Sequence, residues 1–298
     1  MKTLHFLFVS FTASIFAASG FAQGKNNSDA EKIAQPQPAK PFSIVNALPA
    51  DAKTFDFKGF RGYEFKLMGR SAKVVLPHHV AADRPWIWRA SFGGGAPQAD
   101  LALLKQGFHL VACDVSELFG NPEALRIWDK FYQWAQSAGL AKKAVMEGFS
   151  RGGVYVYRWA AEHPERIAAV YVDAPVLDLK SWPGGKGKGK HSPREWKIFK
   201  RDFGLANDAE AMAFKGNPLD LTDKIVAGRY PMLHVVGDAD KVVPVGENTA
   251  PFVEKIRAAG GSIQVIKKTG VGHHPHGLED PQPIVDFVLK AINSAGTK

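Results

Sequence analysis

The sequence Gly148-Phe149-Ser150-Arg151-Gly152-Gly153 decides the fold of this chain. Residues 143–147 before it are apolar enough to predict a short strand, and residues 154–161 after it predict a helix. A serine between two glycines at such a strand-to-helix turn is the pattern of a nucleophile elbow. The tight turn exposes the hydroxyl at the carboxyl edge of a sheet, so we predict that Ser150 is a nucleophile.

Two later loops supply the partners that a serine nucleophile needs. Predicted strand 232–236 runs into a loop that contains Asp240, and predicted strand 262–266 leads to His273. A serine hydroxyl is weakly nucleophilic until a base takes its proton, and a histidine with a pKa near neutrality suits that task. We therefore predict His273 as the base and Asp240 as the carboxylate that orients it. Both loops follow strands, where open parallel sheets place functional residues.

These motifs resemble the α/β-hydrolase superfamily, from about residue 70 to the C-terminus, and the order Ser, Asp, His along the chain is that of its triad. Residues 88–92, 173–175, 181–185 and 273–276 resemble, more narrowly, exported bacterial hydrolases associated with polysaccharide breakdown. These hydrolases include serine esterases of the carbohydrate-esterase type and domains of the prolyl-oligopeptidase type.

The resemblance implies an α/β-hydrolase fold, with a mostly parallel central sheet flanked by helices and a small cap insertion at about 174–230. It implies a serine hydrolase that cleaves carboxylic esters, carbohydrate-linked ones first, through an acyl-enzyme. A peptidase of the prolyl-oligopeptidase type and a non-catalytic binding protein that keeps the fold are the alternatives.

Alternatives for the acidic partner stay open on the sequence alone. Asp238 lies two residues before Asp240, although the spacing to Pro244 favours Asp240. Asp173 and Asp178 follow the strand after the elbow, which is a second position for the acid in the family. If it is not catalytic, Asp173 is expected to fix the turn that follows it.

Histidines close to His273 offer other roles. His274 is an alternative base, and together with His276 the cluster also resembles a metal site. Without nearby cysteines or acid-rich segments it is a poor zinc signature, so we expect no metal and no organic cofactor.

The oxyanion of an acyl-transfer intermediate needs two backbone donors. One predicted donor is the amide of Arg151. The other is the amide of Phe92 in a glycine-rich loop, with Gly93 as its neighbouring alternative. Glucuronoyl esterases look similar in having an arginine after the serine, and the Arg151 side chain is a candidate for binding an anionic substrate, unless it pairs with Glu147 or another carboxylate.

Aromatic and basic side chains in the predicted cap point to a charged sugar as the substrate. Trp182 and Trp196 are candidates for stacking on sugar rings. Six cations accompany them: Lys180, Lys186, Lys188, Lys190, Arg194 and Lys197. They favour an acidic glycan, although a solvated surface loop is an equally simple interpretation of the Gly-Lys run.

The termini and composition bound the remaining possibilities. Residues 1–22 have the pattern of a secretory signal peptide cut near Ala22, 23–50 that of a linker or arm, and 51–298 that of the hydrolase domain. We expect a periplasmic or secreted protein with no membrane segment after cleavage.

The net charge of +9 becomes +8 without Lys2. Because the sequence has no nucleic-acid-binding motif, a nucleic-acid partner is a poor fit despite this charge. Cys113, the one cysteine, cannot form an intrachain disulfide and is expected to be buried.

Overall fold

The computed structural model describes residues 42–90 and 95–295. Nine strands of these residues form one sheet in the order β1-β2-β3-β5-β4-β6-β7-β8-β9. The strands are β1 (Lys53–Phe57), β2 (Phe60–Leu67), β3 (Arg70–Val75), β4 (Trp86–Arg89), β5 (His109–Cys113), β6 (Ala144–Phe149), β7 (Ile167–Asp173), β8 (Met232–Gly237) and β9 (Ile263–Lys268).

The pairing of neighbouring strands changes from antiparallel to parallel once across this sheet. The first three strands pair antiparallel with one another, and β3 joins β5 in the same way. From β5 to β9 every pairing is parallel. The predicted mostly parallel sheet is confirmed.

Helices cover both faces of the sheet. They are α1 (Gln98–Lys105), α2 (Pro122–Ser137), α3 (Gly152–Glu162), α4 (Pro193–Asp202), α5 (Asp208–Ala213), α6 (Thr222–Val226), α7 (Thr249–Ala258) and α8 (Gln282–Ala295). Side chains alternate between the faces of a strand, and Ile87 shares a core cluster with α1 and α8, while Trp86 and Trp88 pack with α2 and α3. Strands β5 and β7 are buried throughout, as strands covered on both faces must be.

The folded domain begins before residue 51. A short 3-10 helix, Ile44–Ala47, places Ile44 in the core at 1% exposure, and the Trp134 indole donates to the Ala47 carbonyl at 3.0 Å. The predicted boundary between arm and domain at residue 50 is therefore too late. The predicted signal peptide and its cut at Ala22 lie outside the described residues. In the part of the chain that is described, no helix has the length and apolar character needed to cross a membrane.

Residues 174–230 leave the strand–helix alternation, and α4 and α5 form the cap. Helix α6 belongs to the main domain, because its Ile225 lies in the core cluster shared with α3 and α7. Trp196 lies at 6% exposure in a hydrophobic cluster that the cap shares with Phe119, Val154 and Val243. Its indole donates to Asp208 at 2.9 Å. The prediction that Trp196 stacks on a sugar is therefore wrong. Cys113 is buried as predicted, and this burial raises the pKa of its thiol to about 12.

Candidate active site

The nucleophile elbow is built around a strained serine. Ser150 follows β6 with a φ of +50°, in the left-handed region that costs a non-glycine residue about 1–2 kcal/mol. Neighbouring backbone groups hold it there, since its N–H donates to the Asp173 carbonyl at 2.8 Å and its carbonyl accepts from Val176 at 2.9 Å. A Cβ on Gly148 would lie 2.8 Å from the Gly152 carbonyl, so the turn requires glycine there.

Three distant side chains meet in a continuous hydrogen-bonded line. Ser150 Oγ lies 2.8 Å from His273 Nε2, and His273 Nδ1 lies 2.7 Å from Asp240 Oδ2. Because an ionised carboxylate only accepts, Nδ1 carries the proton and Nε2 accepts from the serine hydroxyl. His273 and Asp240 are 9% and 7% exposed, so little water competes for these bonds.

Asp240 is held in place and kept ionised. Its second oxygen accepts from the amides of Val242 and Val243 at 2.8 and 2.9 Å. Burial opposes ionisation, but the hydrogen bonds from His273 and these amides outweigh it and lower the pKa of Asp240. The carboxylate can therefore stabilise a positive charge that forms on the imidazole during a reaction.

The alternative acids bind other groups. Asp238 accepts from the Gly270 amide at 2.7 Å, and Asp178 accepts from the Lys180 amide at 2.9 Å. Asp173 accepts from His276 Nδ1 and from the Gly277 amide, both at 2.8 Å. It therefore anchors the loop after β9, and the expectation that it fixes the turn at Ala174 is wrong.

His274 lies beside the line of hydrogen bonds rather than in it. Its exposed ring has its centroid 4.8 Å from that of His273. Partial burial and the neighbouring imidazoles lower the pKa of His274 below its usual value. The geometry thus brings Ser150 to His273 and leaves His274 as a neighbour of the pair.

Backbone atoms alone form the tight contact between two loops, one carrying Asp240 and the other His273. The Ala239 amide donates to the Val271 carbonyl at 3.0 Å. A Cβ on Gly237 would lie 2.3 Å from the carbonyl oxygens of both Val271 and Gly272. Glycine at 237 is therefore required for the approach of the two loops.

Replacing Gly237 by alanine is expected to push these loops apart. We expect a loss of about 1–3 kcal/mol in the free energy of unfolding, from overpacking. We also expect about a 100-fold fall in kcat, because a displacement near 1 Å misaligns reacting groups. Chemical denaturation and ester hydrolysis measure the two effects. Gly246→Ala is the matched control, since a Cβ there meets open space, and equal losses in both variants would refute this role for Gly237.

The oxyanion donors are only partly described. Arg151 is the residue before the first helical turn of α3, so its amide belongs to the donors that the helix itself leaves unpaired. This position agrees with its predicted role. Phe92 and Gly93, predicted as the second donor, lie outside the described residues.

The Arg151 side chain pairs with Glu195, which the sequence analysis did not single out. Its Nη1 donates to Glu195 at 2.5 Å, lies 3.8 Å from Glu117, and its guanidinium lies 5.4 Å from the centre of the Phe119 ring. The expected pairing with a carboxylate is found, but not with Glu147. The Arg151 guanidinium therefore lines the cavity with its positive charge already paired with Glu195.

A cavity of about 360 Å³ opens at the serine. Its lining residues include Ala90, Asp114, Ser116, Phe149, Ser150, Arg151, Tyr155, Trp182 and Glu195. Trp182 is half-buried and packs near Phe119, with the ring centroids 6.3 Å apart. The predicted aromatic candidate thus forms part of the cavity wall next to the predicted nucleophile.

A buried cluster of three charged side chains lies between strands β4 and β6 and helix α1. Arg89 Nη1 donates to Asp100 at 2.5 Å, and its Nε lies 3.4 Å from Glu147, with all three side chains buried. Burial and the charge of Asp100 raise the pKa of Glu147 well above its usual value. Charged residues inside the apolar strands β4 and β6 were the available sequence signal for this cluster, and the sequence analysis did not use it.

The Gly-Lys run of the cap is hydrogen-bonded to the segment that follows Asp240. Glu247, just after the Asp240 loop, accepts from Ser181 Oγ at 2.6 Å and from the amides of Lys188 and Gly189 at 2.5 and 3.2 Å. The Lys190 amide donates to the Val242 carbonyl at 3.2 Å. The run is therefore a loop anchored to the segment that follows Asp240, and its lysine side chains are exposed.

Comparison with known proteins shows where this architecture occurs. No protein-family model matches the chain, and no curated protein matches it in sequence. A puromycin-hydrolyzing peptidase of Mycobacterium tuberculosis is similar in structure, with a TM-score of 0.59 and 15% identity over 77% of this chain and 38% of that one. The acylaminoacyl peptidase of Pyrococcus horikoshii has a TM-score of 0.55 and 15% identity over 74% and 38% of the two chains. The chain thus spans under two fifths of the length of either peptidase.

A third similar structure has nearly the size of this protein. Est1E from Butyrivibrio proteoclasticus matches with a TM-score of 0.55 and 18% identity over 81% of this chain and 99% of that one. Identities this low carry the fold and not the reaction. With the sheet order, the elbow after β6 and these neighbours, the chain has the α/β-hydrolase fold.

Proposed function

We propose that this protein is a serine hydrolase that cleaves carboxylic esters through an acyl-enzyme on Ser150. The observation that carries the proposal is the unbroken line from Ser150 Oγ through His273 to Asp240, at 2.8 and 2.7 Å. His273 Nε2 takes the hydroxyl proton as Ser150 attacks the ester carbonyl, then gives it to the departing alcohol. A water activated by the same nitrogen releases the acid and restores the serine.

The cavity supports a small acyl or alcohol portion next to the serine. Its volume of about 360 Å³ is at the lower end for a site that encloses a ligand. The Arg151 amide at the start of α3 is placed to receive the developing oxyanion, in a site where backbone donors contribute about 3–4 kcal/mol of transition-state stabilisation.

A carbohydrate-linked ester with acidic groups is the substrate class that the cap favours. Trp182 offers an aromatic wall to the cavity. The cap segment also exposes the cations Lys186, Lys188, Lys190, Arg194 and Lys197. Since Arg151 is already paired with Glu195, we assign the recognition of the substrate's distant negative charges to the lysines of the anchored loop. Arg151 is then expected to bind the part of the substrate that enters the cavity.

Kinetics on paired substrates test this assignment. Replacing Lys186, Lys188 and Lys190 together by glutamine is expected to raise KM for uronate-bearing esters about tenfold at low salt. KM for neutral nitrophenyl esters should change little. The difference should shrink as ionic strength rises, because the Debye length falls from about 30 Å at 0.01 M to about 8 Å at 0.15 M.

The control for these lysines lies away from the site. Lys142 and Lys143 are also exposed but precede β6, at the opposite end of the strand from Ser150. Glutamine at 142 and 143 should leave both substrate classes unaffected. Equal changes in KM for charged and neutral esters in the triple variant would contradict charge recognition by the cap.

A peptidase is the second candidate, because two of the similar structures are named peptidases. Hydrolysis of short-chain nitrophenyl esters without hydrolysis of peptide anilides supports the esterase. The reverse preference would establish the peptidase. We further propose export to the periplasm or beyond, from the pattern of residues 1–22, and N-terminal sequencing of the mature protein should begin at Gln23.

A further inference from the structure

Three imidazoles cluster at the site. The ring centroids of His273, His274 and His276 are 4.8, 5.1 and 4.6 Å apart in pairs. Each residue offers a nitrogen, and these nitrogens all lie within 4.8 Å of one another. The catalytic line described above uses only His273, so two of the three rings have no part in it.

Buried carboxylates orient two of these rings in the same way. His273 Nδ1 is bonded to Asp240 at 2.7 Å, and His276 Nδ1 is bonded to Asp173 at 2.8 Å. Both carboxylates are buried, Asp173 completely. A carboxylate behind Nδ1 fixes the tautomer and leaves Nε2 as the free ligand atom, which is the usual support of a metal-binding histidine.

We propose that His273, His274 and His276 bind a divalent transition metal ion of the Zn²⁺ class, and that this ion switches hydrolysis off. Three imidazoles with an open fourth position are a common zinc ligand set, whereas Mg²⁺ and Ca²⁺ prefer oxygen. Zinc–nitrogen bonds of about 2.0–2.1 Å require the nitrogens to approach to roughly 3.3 Å. His274 is exposed, so its side chain has room to move toward the other two rings.

The switch follows from competition for one atom. His273 Nε2 lies 2.8 Å from Ser150 Oγ and is the nitrogen that would accept its proton. A nitrogen whose lone pair coordinates a metal cannot accept a proton, so the metal-bound protein has no base. This consequence rests on the proposed function, whereas the binding of the ion does not.

Sequence alone did not favour zinc here, because no cysteine or acid-rich segment accompanies residues 273–276. The fold supplies them from β7 and from the loop after β8, through Asp173 and Asp240. The supporting carboxylates are thus distant in sequence and close in space.

Binding is tested first on full-length Ser150→Ala, so that the result is independent of catalysis. Titration with Zn²⁺ by calorimetry, and with Co²⁺ by visible absorption, should show one ion per chain with the intense spectrum of a four-coordinate site. His274→Gln and His276→Gln in this background should each weaken binding at least tenfold. His79→Gln, at an exposed histidine elsewhere, is the control and should bind as before.

Inhibition is then measured in the protein with Ser150 intact. Zn²⁺ should abolish ester hydrolysis, EDTA should restore it, and Mg²⁺ should have no effect. His274→Gln should raise the inhibitory Zn²⁺ concentration at least tenfold, relative to its own metal-free rate. Thermal melts show whether His276→Gln remains folded, and the exposed His274 carries the test if it does not.

The outcomes separate the two proposals. Absence of binding to Ser150→Ala, or equal binding by the His274→Gln and His79→Gln variants, would overturn the metal site. Binding by these three histidines without inhibition would overturn the switch. A chain that binds Zn²⁺ through them but hydrolyses no ester keeps the site and refutes the proposed function.

Discussion

Replacing Ser150 by alanine is expected to lower kcat for ester hydrolysis by about 10⁶-fold, the scale on which loss of a triad serine acts. The variant retains Asp240 and His273 but has no atom that can form the acyl-enzyme. The fold should be unaffected, because the hydroxyl contacts His273 at the cavity and does not support the core. Steady-state kinetics and a thermal melt measure the two quantities.

Ser116→Ala is the matched control, since this serine lines the same cavity. Its removal should change kcat by no more than a few-fold. Comparable activity in wild type and Ser150→Ala would contradict the assignment of the nucleophile, and comparable loss in both variants would indicate damage to the cavity instead.

Asp240→Asn is the second large expected effect, a fall of about 10⁴-fold in kcat. The amide can still accept from Val242 and Val243 through its oxygen, so the loop should keep its shape. Its NH₂ group then faces His273 Nδ1 and forces the proton onto Nε2. The imidazole would present a donor to Ser150 and could no longer take its proton.

The near neighbour gives the comparison for this variant. Asp238→Asn keeps the oxygen that accepts from the Gly270 amide, and it should retain activity within a few-fold. Kinetics of both variants on one nitrophenyl ester measure the effect. A larger loss at 238 than at 240 would reassign the orienting carboxylate.

Local signals were enough to place the elbow and the sheet. The strand before Ser150 and the helix after it are where the sequence predicts them, because β6 and α3 follow simple apolar patterns around two glycines. Helix α2 begins at Pro122, because Asn121 caps it and proline suits the first helical position. The start of this helix is therefore set by its capping residues and not by the apolar periodic pattern.

Contacts between distant segments are harder to predict from local sequence patterns. The choice between Asp238 and Asp240 depends on which carboxylate faces His273, and the fold decides that through the tight contact at Gly237. In the same way, Glu195 pairs with Arg151 only because α4 returns over the elbow. The spacing to Pro244 already favoured Asp240, whereas the pairing of Arg151 with Glu195 has no local pattern in the sequence.

Long segments with weak periodicity gave the least reliable predictions. Trp196 and Trp182 both belong to the predicted cap, yet one is in a hydrophobic core and the other lines the cavity. Composition alone does not distinguish these positions. The early packing of Ile44 was missed for a related reason, because the apolar stretch at 42–48 is too short to give a periodic signal within a polar arm.

Labelling with a fluorophosphonate probe, followed by peptide mass spectrometry, shows directly whether Ser150 is the nucleophile. We expect a single adduct on Ser150 in the wild type and none in Ser150→Ala, with labelling slowed at least 10³-fold in His273→Gln because the base is lost. An adduct on another residue, or undiminished labelling without His273, would contradict this assignment.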